Sequence, residues 1–168
     1  SEMDTVIDDM KTDGDGNLVI TSDKALAAIS RAGLAGDYRL GLDIDASGTP
    51  GWNSGTGWYP IGFDGSQFSG SFDGDGHVIR DIYIDRAANN VGLFGSVTED
   101  STIEGVGVES VNISGNVRVG GLVGDNEGGT VQESHVTGTV DGDSDVGGLI
   151  GYNHKGSIRY TNATGSVN

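Results

Sequence analysis

The chain has 168 residues, 31 of them Gly and none Cys, and 25 acidic against 9 basic side chains give it a formal net charge of −16. A single domain of this length buries an adequate core without disulfides, and no apolar run approaches the roughly 20 residues that span a bilayer. So negative a surface repels nucleic acid, which needs clustered Lys and Arg.

The excess acid is mostly Asp in glycine-rich turns such as "TDGDGN", "FDGDGH" and "VDGDSD". Such turns solubilise a surface, and they are also what adaptation to high salt or capture of calcium would produce. The first of them puts Asp13 and Asp15 forward as candidate calcium ligands. An EF-hand loop started at Asp13 would need Gly at its sixth place and Glu at its twelfth, and meets Leu18 and Lys24 instead. Further on, "SDKALAAISRAGL" carries capping residues, Ala, Leu and Ile at helical spacing, and Gly33 at its end, which predicts a helix from about Asp23 to Ala32. Residues 1–37 are accordingly assigned to an N-terminal segment with a capping helix.

From residue 38 the pattern changes. "DYRLGLDIDA" alternates Tyr38, Leu40, Leu42 and Ile44 with polar partners and predicts a strand. The loop "GWNSGTGWYPIG" supplies three aromatics, Trp52, Trp58 and Tyr59, whose faces could stack on sugar rings. In the competing assignment Trp58 and Pro60 brace the loop against the first coil, leaving Trp52 as the better ligand candidate.

A repeat then dominates. Gly95 closes "VGLFG", Gly124 closes "VGGLVG" and Gly151 closes "VGGLIG", at spacings of 29 and 27. Ile103, Val131 and Ile158 recur in step, as do Val108, Val136 and Ala163, then Ile113, Val140 and Val167, with Asn126 and Asn153 at equivalent turns. Such a period, with short β-branched runs and no helical spacing inside it, is the signature of stacked repeats. Three short strands per unit of about 27 residues make an all-β coil of parallel strands, a β-helix spanning residues 38–168. Its glycines would serve corners that need positive φ or have no room for a Cβ. Leu93, Leu122 and Leu149 are expected to form one inward stack, and Val119 and Val146 another.

The phrases "VGLFG", "VGGLVGDNEGG" and "VGGLIGYNHKG" resemble the GLUG motif, and "WYPIGFDGSQFSGSFDGDGHVIRDIYI" is similar to the stretch that often precedes it. The resemblance implies a right-handed parallel β-helix and a place among bacterial and archaeal surface or secreted proteins. These include adhesin-like chains and the N-terminal part of some immunoglobulin A proteases. It transfers no catalytic residue. The function it implies is a non-catalytic extracellular or cell-surface module, structural or adhesive. The alternatives are a glycan-binding module, or an accessory domain of a larger protease or polysaccharide-active enzyme. A surface glycan or another surface protein is the implied partner. Because the chain stops at Asn168 in mid-coil, a longer solenoid or a further domain is expected beyond it.

Catalytic and metal chemistry have little to build on. Asp43 with Asp45, or Asp81 with Asp85, have the spacing of a sugar-cleaving carboxylate pair, but in a chain so rich in Asp such pairs arise by chance. None of His77, His135 and His154 has a motif partner. The motif calls for no cofactor, and calcium is the one ion the acidic turns would admit. Asp141, Asp143 and Asp145 are its first candidates, although a loop started at Asp141 fails the EF-hand test at Val146 and Tyr152.

Overall fold

The computed structural model describes residues 2–168, apart from the side chains of Glu2 and Met3. The repeat becomes a parallel β-solenoid in which each coil lies on the one before it. The alignment read from the sequence is the hydrogen-bonded register. Val131 pairs with Ile103 on one side and Ile158 on the other, Val136 with Val108 and Ala163, and Val140 with Ile113 and Val167. Val146 pairs with Val119, which is bridged in turn to Val91.

Each of the last two coils has four strands where three were expected. They are Val117–Gly120, Val123–Glu127, Thr130–Gln132 and His135–Asp141, repeated as Ser144–Gly147, Ile150–His154, Ser157–Arg159 and Asn162–Val167. The extra division falls inside the VGGL phrase. A Cβ on Gly120 would collide with the carbonyl oxygen of Val123, and one on Gly147 with that of Ile150, so only glycine lets the chain double back so closely. Gly120 and Gly147 thus serve close approach and not positive φ. The left-handed corners fall to other glycines of the repeat, such as Gly105 (φ 65°) and Gly128 (φ 94°), and to polar residues in equivalent places, Asn90 (φ 60°), Arg118 (φ 62°) and Asp145 (φ 52°).

The coils shorten along the axis. Tyr38, Phe72, Ile103, Val131 and Ile158 stand in register on the longest sheet, so large rings give way to smaller aliphatic groups as the loop enclosing them contracts. In the wide N-terminal half the rings fill the interior together, with Phe68 and Phe72 centred 5.0 and 5.4 Å from Phe94, and close packing of this kind dominates the stability.

The helix expected over residues 23–32 forms as α2 (Asp23–Ala27) and α3 (Ile29–Ala32), preceded by α1 (Glu2–Asp9), which the sequence did not announce. Ser22 caps α2 through its hydroxyl, which accepts the N–H of Ala25 at 3.0 Å. Leu26 and Ile29 are buried in one cluster with Ile20, Tyr38 and Leu40, covering the apolar end of the first coils. The strand Leu18–Ile20 pairs in parallel with Asp37–Leu40, so the sheet begins within the N-terminal segment. At the far end Ile158 is 38% exposed where Val131 is 0%, and Val167 is 49% exposed where Val140 is 1%.

Candidate functional site

Inward residues of the second sheet, Ile79, Val108 and Val136, leave their neighbours on an outer face that runs along the axis. There a strip of hydrogen bonds and ion pairs climbs from coil to coil. Asp43 accepts the backbone N–H of Val78 at 3.0 Å and meets Nδ1 of His77 at 3.2 Å, and Arg80 lies 3.7 Å from its other oxygen. Arg80 reaches Glu109 at 3.4 Å, and Glu109 meets Nε2 of His135 at 2.8 Å. The Val78 N–H, followed by His77 and Arg80, outweighs desolvation and holds the Asp43 carboxyl below its ordinary value. Exposed pairs of this kind add little stability in water; their chemical consequence is a polar face kept in register over successive coils. Two of the carboxylates considered for sugar cleavage are already engaged. Asp43 is engaged by Val78, His77 and Arg80, and Asp45 accepts the backbone N–H of Ser47 at 2.9 Å.

The aromatic loop divides in two. Trp58 is fully buried and its indole N–H donates to the carbonyl of Leu93 at 3.1 Å, so it offers no face to a ligand. Half-buried Trp52 stacks on it at 6.0 Å between ring centroids. Pro60 is buried as well, which gives Trp58 and Pro60 the geometry of a brace. Tyr59 is exposed, set edge-on to Phe63 at 5.1 Å, with the Arg86 guanidinium 5.2 Å from its ring centre.

The acidic turns stay apart. Asp13 has both oxygens occupied: Oδ1 accepts the N–H groups of Asp15 and Asn17 at 2.9 Å each, and Oδ2 accepts from Nε of Arg39 at 2.8 Å. Arg39, followed by the Asn17 N–H, holds this carboxyl well below the usual range. Asp15, Asp141, Asp143 and Asp145 are exposed. Among the described residues no three His, Asp or Glu side chains converge as a metal ion would require.

A second polar cluster escaped the sequence altogether. Asp125, 5% exposed, accepts from Nη1 of Arg118 at 3.0 Å, while its Oδ1 is buried with no partner among the described residues. Burial, and then the neighbouring Glu127, push its carboxyl up from the ordinary value against the pull of Arg118. The Arg118 guanidinium lies 4.1 Å over the ring of Tyr152, which is nearly parallel to His154 at 6.3 Å. The available signal was the "GDNEGG" turn, whose next-door Asn126 already marked the repeat.

Residues 115–141 and 142–168 each match the GLUG motif, so one motif is one coil. Halomucin of Haloquadratum walsbyi is 42% identical over 125 residues, covering 70% of this chain and 1% of that protein. A protein of Evansella cellulosilytica named as a Gly-rich membrane protein is 33% identical over 97 residues, covering 54% of this chain and 11% of the other. The chain therefore spans a small part of the curated relatives it matches. A crystal structure from Bacteroides ovatus, named for an immunoglobulin A1 protease, superposes with a TM-score of 0.66 over 91% of this chain and 49% of that one. At 21% identity that likeness is one of fold.

Proposed function

The chain is a GLUG-repeat β-solenoid, and from that premise we propose that it serves as a non-catalytic structural and adhesive module at the cell surface or outside the cell. The observation that carries this reading is the stack itself. Backbone ladders join every coil to the next, an Asn–Asn contact links Asn126 to Asn153 inside, and the Asp43–Arg80–Glu109–His135 strip ties coils together outside. A body so built presents broad side faces at fixed spacing, which suits repeated weak contacts with a neighbouring surface. The membrane protein named among the relatives supports a surface location. No helix among the described residues is long and apolar enough to cross a membrane. The Bacteroides likeness lends its fold and not its activity.

The test is to label intact cells with a membrane-impermeant reagent and fractionate the full-length protein. It is expected in the labelled surface fraction or the medium. Recovery only from the cytoplasm would overturn the proposal.

A further inference from the structure

On the outer face of the last two coils lies an open groove of about 540 Å³. We propose that it is a binding subsite for a neutral oligosaccharide; this rests on the surface-module reading and names its ligand.

The groove is assembled from residues at equivalent places in successive coils. His135 stands beside Asn162 and Thr137 beside Thr164 in the strand register, and Glu133 and Tyr160 occupy the same corner one coil apart. That corner is left-handed, with φ 65° at Gly105 in the coil before, 53° at Glu133 and 52° at Tyr160. Glycine adopts such a φ freely, whereas a bulky aromatic there is strained. The corner at residue 160 nevertheless carries a tyrosine that is 83% exposed. It lines the groove, where its ring offers an apolar face.

The polar groups opposite are held in place. The His135 ring lies over Gly107, where any Cβ would collide with it, and its Nε2 is fixed by Glu109 at 2.8 Å, which leaves Nδ1 as the ring's remaining polar atom. Thr137 Oγ1 accepts the N–H of Ser110 at 2.9 Å, so its own hydroxyl proton is directed elsewhere. An aromatic face beside a fixed hydroxyl and imidazole, with an amide and a carboxylate in the same lining, matches a sugar, whose ring has an apolar face and an edge of hydroxyls. Glu133 and the net charge of −16, with no Lys or Arg lining the groove, repel uronates, sialylated chains and phosphates.

The experiment is calorimetric titration of the chain with cellohexaose, mannohexaose and chitohexaose, with hexagalacturonate as the anionic control. At least one neutral hexaose is expected to bind and the anionic one not to. Tyr160→Ala should weaken binding about tenfold or more. Tyr160→Gly should lose binding equally while Tm holds or rises, because the φ of 52° costs glycine nothing. A merely structural tyrosine would not show that opposition. Silence from all three neutral hexaoses, undiminished binding by Tyr160→Gly, or tighter binding of hexagalacturonate would each overturn the proposal. None of these results would alter the surface fractionation, so the two readings fail separately.

Discussion

Asn126 stands directly beneath Asn153, and its side-chain Nδ2 donates to Oδ1 of Asn153 at 2.8 Å. The same Nδ2 also reaches the carbonyl of Gly129 at 3.1 Å, and Oδ1 of Asn126 accepts the Gly129 N–H at 2.9 Å. This one buried amide therefore closes its own turn and joins two coils. Asn126→Ala would leave the buried N–H of Gly129 unpaired, while its carbonyl keeps the N–H of Ser157, at about 1–3 kcal/mol in denaturant unfolding. Asn153 is exposed, and Asn153→Ala should cost less than half as much. Equal costs would contradict the ladder.

Leu122 is fully buried and Leu149 half-buried, and the N–H of Leu122 donates to the carbonyl of Leu149 at 3.0 Å. Leu122→Ala should cost about 2–5 kcal/mol and Leu149→Ala clearly less. Leu122→Asp should unfold the middle of the coil, since it buries an unpaired charge. A circular dichroism melt unchanged by Leu122→Asp would refute the inward stack.

Burial favours the neutral form of Asp125, so its folded pKa lies above the unfolded 3.8. A carboxyl raised in this way binds its proton more tightly in the folded state. Its contribution to stability is therefore complete below the unfolded value and is lost as pH rises through the folded one. Asp125→Asn removes that loss. The variant should melt higher than the parent at pH 7, and the gap should shrink as pH falls towards 3. A variant less stable at pH 7 would show that the Arg118 pair outweighs desolvation.

The surface charge yields a fourth expectation. With 25 acidic residues against 9 basic ones, screening of repulsion should raise Tm as NaCl is added. Millimolar CaCl2 at matched ionic strength is expected to add nothing further, because Asp141, Asp143 and Asp145 are exposed and do not converge on one point. A further rise that Asn at all three positions abolishes would show instead that the turn closes around the ion, and a Tm indifferent to both salts would leave the acid a solubilising role alone.

The sequence by itself determined the stacking partners from Ile103 onward. A parallel solenoid sets each residue on its equivalent one coil away, so pairs such as Val131 with Ile158 and Asn126 with Asn153 could be counted off the repeat. It also announced the cap from Ser22 to Gly33, because capping chemistry is local. Tertiary structure decided what depends on side chains meeting across coils of unequal length. Only the folded chain shows that Trp58 is spent on the Leu93 carbonyl, or that Asp43, Arg80, Glu109 and His135 form one strip. The burial of Asp125 beneath Arg118 and Tyr152 is likewise visible only there. Helix α1 stayed hidden because eight residues rich in acid carry too short an apolar pattern. The fourth strand of each of the last two coils was hidden in the VGGL phrase, whose glycines act through the closeness of neighbouring backbone, a property that belongs to packing and not to any single residue.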